Sequence, residues 1–321
     1  MTALADVYPK DRITLREVGL RDGLQLVKTW PDTDDKLLWL SREAAAGVAH
    51  FEVGSFLPVK TMPQFADVRV LIEKARDLGV HAAALALNER GADDAIASLV
   101  PELVCVVSAT DAHSEANMRR SRKAAVTLVG STADKAAAAP HKPLVHVGLS
   151  VAFGCPLAGD VPAGDVIALA EDCLEAGADM VSLADTVGFA GPAQVAALSE
   201  ALEKRVAGRP FGVHLHDTRG MGIANAAAAL SAGASVLDGS LGGLGGCPHA
   251  PGASGNVVFE DLVFLCERMG FATGIDLQAL AHAREVAVGA MPGEPFVGAL
   301  AKVGPPKIAW RAGATAAQAM P

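Results

Sequence analysis

One phrase recurs along the chain: a helix-like stretch, a glycine after Ala or Leu, then an apolar run. Asp34 to Ala46 is helix-like and Gly47 stops it, after which Val48 to Ser55 reads as a strand. The phrase returns at Leu78-Gly79 before Val80 to Leu87, at Ala176-Gly177 before Ala178 to Ala184, and at Ala232-Gly233 before Ala234 to Leu237. A glycine just past a helix supplies the left-handed residue that turns the chain into the next strand. Ile13 to Val18, Glu102 to Ala109, Leu144 to Phe153 and Phe211 to Asp217 read as further strands. About eight strands, each followed by a helical stretch, predict an α/β fold of the (β/α)8 TIM-barrel type. A doubly wound sheet is the competitor. It would carry Gly-x-Gly-x-x-Gly after the first strand, where this chain has Gly19-Leu20-Arg21-Asp22-Gly23. The barrel is expected over residues 10–275, with a C-terminal helical appendage over 276–321. Helices are expected at Phe259 to Met269 and Leu277 to Ala290, with a loose end from about Arg311.

Composition narrows the function classes. A net charge of −9 with 4% aromatic residues argues against a nucleic-acid surface, which needs a basic footprint. No apolar run reaches membrane-spanning length. Five cysteines without a Cys-x-x-Cys pair form neither a disulfide framework nor a zinc ribbon, so a cytoplasmic, reducing setting is expected. Met1 to Arg12 mixes acids and bases and has no apolar core like that of an export signal.

The seventh strand holds the most informative residues. Side chains alternate across a strand, so His214 and His216 share one face, at the point where Asp217-Thr218-Arg219-Gly220 ends the strand. Two imidazoles so placed can grip one cation; taken alone, a pair of hydrogen-bonded core histidines explains them equally well. In a barrel, chemistry sits on the loops at the C-terminal ends of the strands. Arg21 and Asp22 follow the first strand, Glu52 lies on the second, and Ser108 and Thr110 end the fourth. Asp185 ends the sixth strand, and the loop after the eighth runs from Gly242 through Cys247 to Asn256. Oxygen and nitrogen donors without thiolates suit Mg²⁺ or Mn²⁺, and the candidate ligands are Asp22, His214, His216 and Asn256. Another divalent ion, zinc included, also accepts His and Asp. Cys105, Cys173 and Cys266 sit in apolar segments and read as packing residues, while Cys155 is ambiguous. Cys247, flanked by glycines, reads as an acid or a nucleophile.

Arg21-Asp22-Gly23-Leu24-Gln25, the strand Phe211 to Asp217 and the loop Gly242 to Asn256 resemble the 3-hydroxy-3-methylglutaryl-CoA lyases of the DRE-TIM metallolyase family. The resemblance extends to Glu52 to Asp67, Ser108 to Asn117, Gly154-Cys155-Pro156 and Ser182 to Gly188, and so runs from about Ile13 to Leu277. The glycine-rich cysteine loop is its most specific part, because it resembles the lyase branch and not the related synthases. The resemblance implies metal-dependent cleavage of a 3-hydroxy-3-methylacyl-CoA to acetyl-CoA and a ketoacid. By position it places Asp22, His214, His216 and Asn256 on the family's metal ligands, and Arg21, Glu52, Asp185 and Cys247 on its other active-site residues. An acyl-CoA substrate and a homodimer are implied with it. Arg21 would meet the thioester oxygen, Asp22 or a neighbouring His would take the hydroxyl proton, and Cys247 would protonate the product carbanion. Glu52 and Asp185 would orient Arg21 and the proton path. Lys60, Arg119, Arg120, Arg122 and Lys123 are candidate basic groups near the rim, although a solvated helix face explains the last four as well.

The chain departs from the pattern at Leu26-Val27, where the family has Asn-Glu, and at Asp217 to Met221. Both departures are expected to reshape the pocket beside the acyl group. Citramalyl-CoA or a longer-chain 3-hydroxyglutaryl-CoA would then be an alternative substrate. A condensing enzyme of the same superfamily and a non-catalytic acyl-CoA-binding barrel are more distant readings.

Overall fold

A computed structural model describes residues 4–206, 208–246 and 255–306. Cys247 and the tail from Arg311 lie outside the described residues. Eight parallel strands close into a barrel in chain order: β1 (Thr14–Glu17), β2 (His50–Ser55), β3 (His81–Leu85), β4 (Glu102–Ser108), β5 (Leu144–Ser150), β6 (Met180–Asp185), β7 (Gly212–Leu215) and β8 (Val236–Gly239). The fold is the TIM barrel that the repeated phrase predicts. A short N-terminal helix, α1 (Leu4–Val7), precedes the barrel. The crossover helices are α2 (Thr33–Ala45), α3 (Val68–Leu78), α4 (Glu89–Ala97), α5 (Asp111–Met118), α6 (Arg122–Ala138), α7 (Ala163–Glu175), α8 (Pro192–Glu203), α9 (Gly222–Ser231) and α10 (Phe259–Arg268). Beyond them α11 (Leu277–Ala290) packs against α2 and α10, and α12 (Leu300–Val303) ends the described chain. Among the described residues no helix is long and apolar enough to cross a membrane.

The glycines of the recurring phrase do what their position demands. Gly47, Gly79, Gly177 and Gly233 have φ of +99°, +71°, +107° and +98°, a region that residues with a Cβ rarely enter. Helix starts are fixed by side chains: Asp32, Asn88, Thr110, Ser121 and Asp276 each accept a hydrogen bond from a backbone N–H in the first helical turn.

Period-two alternation sorts each strand into two faces. Leu15, Val145, Val147, Val181, Leu183, Val213, Leu215 and Leu237 join the apolar layer under the helices. The residues between them, including Arg16, His146, Ser182, His214 and Asp238, line the barrel interior. Such an interior is usually filled by branched aliphatic side chains; here its middle is polar and charged. At the N-terminal mouth Val7 and Tyr8 pack on Leu144, Met180 and Val236, which closes that end. The open end is therefore the one that carries the loops.

The outward face of β1 holds one exception to the apolar layer. Glu17 is fully buried beneath α2, and its Oε1 accepts hydrogen bonds from Gly19 N at 2.8 Å and Leu241 N at 2.9 Å. Burial pushes its carboxyl up to about 8 against those two hydrogen bonds, with the Glu260 charge adding to the rise. Glu43, also buried there, is raised by burial and by the charges of Glu17 and Glu260. A carboxyl raised in the folded state from 4.5 to about 8 contributes stability that is complete below the unfolded value and is lost as pH rises through the folded one. Glu17→Gln keeps an acceptor for both amides and cannot ionise. Its unfolding free energy, measured by urea titration from pH 5 to 9, is expected to exceed that of wild type progressively, by on the order of a few kcal/mol at the alkaline end. A difference that does not vary with pH would show that Glu17 is held ionised.

Candidate metal centre and active site

The end of β7 and the loops after β1, β7 and β8 build the site at the open end of a cavity of about 300 Å³. A side-chain carboxylate oxygen of Asp22 and ring nitrogens of His214 and His216 all lie within 4.8 Å of one another. The two imidazole Nε2 atoms face each other at 3.1 Å, and Asp22 Oδ2 stands 3.8 Å from the first and 3.6 Å from the second. Asn256 joins them through tertiary pairing. Residues 255–257 run antiparallel beside the end of β7, with Asp217 N donating to Gly255 O at 3.1 Å and Val257 N to Leu215 O at 3.1 Å. Asn256 Nδ2 then donates to Asp22 Oδ2 at 2.8 Å and to Leu244 O at 3.0 Å. Gly255 is required at this crossing, because a Cβ there would meet the carbonyl of Gly243.

The electrostatics match a cation. Burial alone would raise the Asp22 carboxyl, but the Arg21 guanidinium and the nearby imidazoles of His216 and His214 hold it well below the usual carboxylate range. Burial disfavours the His214 cation, yet the hydrogen bond and charge of Asp238 outweigh it and raise the His214 pKa. The buried Asn256 Oδ1 has no hydrogen-bond partner among the described residues. An orphaned amide oxygen beside a carboxylate and two imidazole nitrogens is the donor set of a divalent ion. The residues therefore fit such an ion.

Next to this centre, Arg21 is clamped from three sides. Its Nε donates to Glu52 Oε1 at 2.7 Å, and its Nη1 to Asp22 Oδ1 at 2.6 Å and Gln25 Oε1 at 3.0 Å. Arg21, Asp22, Glu52, His214 and His216 all line the cavity, together with the apolar Leu57, Met62, Leu85, Leu87, Val104 and Val106. Asp185 is placed differently. Its carboxylate is 1% exposed and accepts from Phe189 N at 2.8 Å and Ala190 N at 3.1 Å, so it shapes the loop after β6 and does not touch Arg21.

The two sequence departures also lie elsewhere than expected. Leu26 is 42% exposed and Val27 packs against the apolar core; neither lines the cavity. Arg219 donates to the carbonyls of Val187 and Gly188 and sits 4.7 Å over the Phe189 ring, tying the β6 and β7 loops together outside the cavity. Of the basic residues near the rim, Arg122 is committed to the Ala109 carbonyl at 2.7 Å and to Asp111.

Comparison with known proteins places the chain in a family. The HMGL-like family model matches residues 12–287. The chain belongs to the HMGL-like family. Hydroxymethylglutaryl-CoA lyase of Bacillus subtilis is 39% identical over 86% of this chain and 92% of its own. The (R)-citramalyl-CoA lyase of Chloroflexus aurantiacus is 36% identical over 92% of this chain and 96% of its own. Among solved structures, an HMG-CoA lyase from Acinetobacter baumannii in complex with coenzyme A and 3-methylmalate superposes with a TM-score of 0.85. It is 35% identical and covers 92% of this chain and 96% of its own.

In this HMGL-like chain, sequence reading passed over Asp238, which stands 3.0 Å behind His214. The available signal was register: His214 pairs with Asp238 across β7 and β8, and both point inward. The described cysteines are accounted for by packing. Burial pushes the thiols of Cys105, Cys173 and Cys266 up to about 12. Cys155 is buried, and its Sγ accepts a hydrogen bond from Thr110 Oγ1 at 3.1 Å. Thiolates react and thiols do not, so iodoacetamide at pH 8 is expected to leave Cys105, Cys173 and Cys266 unmodified in the native protein. Peptide mapping is expected to find the fast-reacting thiol at Cys247. Rapid labelling of Cys105, Cys173 or Cys266 in folded protein would contradict the burial described here.

Proposed function

We propose that this chain is a carbon–carbon lyase that cleaves 3-hydroxy-3-methylglutaryl-CoA to acetyl-CoA and acetoacetate with Mg²⁺ or Mn²⁺ held by Asp22, His214, His216 and Asn256. The observation that carries the reading is the convergence of Asp22, His214 and His216 on one point beside Arg21, in a member of the HMGL-like family. The reaction breaks the bond between the thioester α-carbon and the tertiary carbinol carbon. The hydroxyl loses its proton and becomes the ketone, the electron pair moves onto the thioester as an enolate, and a proton returns to the α-carbon. When bound, the divalent ion supplies Lewis acidity to the substrate's hydroxyl and carboxylate oxygens.

The remaining chemistry belongs to the chain. Arg21 presents a permanent cation to the thioester oxygen as negative charge develops there, and Glu52 fixes the plane of that guanidinium. Asp22, or one of the neighbouring histidines, takes the hydroxyl proton. Cys247 returns a proton to the carbanion. Asp185 holds the β6 loop that borders the cavity. The departures at Leu26-Val27 and Arg219 lie outside the cavity, which favours the parent substrate over a reshaped one. Unpaired thiols among the described cysteines suit a reducing cytoplasm.

A second reading, citramalyl-CoA cleavage by the same machinery, is favoured by the Chloroflexus relative. Acetyl-CoA release by metal-stripped protein, measured with each substrate with and without added Mg²⁺ or Mn²⁺, separates the two. Metal-dependent release from 3-hydroxy-3-methylglutaryl-CoA is the expected result. Release from citramalyl-CoA alone would transfer the proposal to the second reading, and release from neither would overturn both.

A further inference from the structure

We infer that Arg16 is a positioning residue for the metal centre: acting through Asp238, it fixes the ring and the tautomer of His214. The inference rests on reading Asp22, His214 and His216 as a cation site. Arg16 points inward from β1 and is 2% exposed. Its Nε donates to Asp238 Oδ1 at 2.9 Å and its Nη2 to Asp238 Oδ2 at 3.0 Å, a two-pronged contact that holds the carboxylate in one plane. The same Oδ2 lies 3.0 Å from His214 Nδ1. A carboxylate locked against a guanidinium only accepts hydrogen bonds, so His214 Nδ1 carries the hydrogen. The lone pair is thereby left on Nε2, the atom that faces His216 Nε2 and Asp22. An acidic partner behind a ligating imidazole also raises its basicity as a ligand.

Arg16 is itself immobile. Its Nη1 donates to Glu102 Oε1 at 3.1 Å and lies 2.8 Å from His146 Nδ1. Glu102 Oε2 is gripped in turn by Tyr8 Oη at 2.6 Å and His81 Nε2 at 2.8 Å. A continuous line of hydrogen-bonded contacts therefore runs from the closed mouth of the barrel to the back of His214. Arg16 lies behind Asp238 and would not touch the ion. Lysine cannot replace it, because one ammonium group does not reproduce the planar fork.

The test uses the full-length protein stripped of metal, with Mn²⁺ as the probe. Mn²⁺ affinity is read by titration calorimetry and by the free-ion EPR signal, and the His214 tautomer by ¹⁵N chemical shifts. Arg16→Lys is expected to bind Mn²⁺ roughly 10- to 100-fold more weakly, to show a mixture of His214 tautomers, and to recover turnover as Mn²⁺ is raised. Unchanged Mn²⁺ affinity with a lowered melting temperature would make Arg16 a purely structural residue and overturn the inference. If Arg16→Lys does not fold, the charge-neutral pair Arg16→Gln with Asp238→Asn keeps the packing and is held to the same two readouts. Failure of the wild-type protein to bind Mn²⁺ would refute the site itself, an outcome separate from failure of Arg16 to matter.

Discussion

Asp22→Asn is expected to lower turnover by roughly 10³-fold or more, since Lewis-acid stabilisation amounts to several kcal/mol and each 1.36 kcal/mol is a tenfold change in rate. Asp22 supplies the one anionic oxygen of the triad and is the hub of the centre. Its Oδ1 accepts from Arg21 and its Oδ2 from Asn256, and both histidine Nε2 atoms lie within 3.8 Å. The amide has almost the same shape, so the fold should survive while the ion loses its charged ligand. Mn²⁺ titration is expected to weaken together with acetyl-CoA release, and excess metal to restore activity only in part. Full turnover at ordinary metal concentrations would remove Asp22 from the ligand set.

Arg21→Met should lower kcat by roughly 10²–10³-fold, the usual effect of deleting a donor aimed at a developing oxyanion. The signature differs from that of Asp22: Mn²⁺ affinity should stay near wild type, and added metal should rescue nothing. The substitution leaves Glu52, 2% exposed, without its cationic partner, so the melting temperature is expected to fall as well. Arg21→Lys separates the two effects. It returns a cation to Glu52 and should restore stability, yet it cannot hold Glu52, Asp22 and Gln25 at once and should remain slow. If Arg21→Met lost Mn²⁺ binding and activity in equal measure, Arg21 would be a support of the metal centre and not of the enolate.

The barrel and half of its site were legible because they rest on short-range rules. Alternation put His214 and His216 on one face of β7, and a strand end followed by a glycine-bearing turn put Arg21 and Asp22 on the working rim. The helix-ending glycines marked the start of each following strand through a local requirement for positive φ. Other placements rest on contacts beyond the local segment. Leu26 and Val27 are neighbours of Gln25 in sequence, but a 3₁₀ turn over Gly23–Gln25 sends their side chains away from the cavity that Gln25 lines. Asp185 ends a strand as expected, and its carboxylate accepts from two backbone amides of the following loop.

Sequence alone determined which residues face inward and which stand at strand ends, because a period of two and a helix cap are properties of a few consecutive residues. Only the tertiary structure decided which inward residues meet. Closure of the barrel sets β1 beside β8, so Arg16 grips Asp238 across 222 positions of chain, and Asn256 reaches Asp22 across 234. Nothing in either segment records the other, since strand pairing is fixed by backbone hydrogen bonds that any sequence of suitable pattern can make.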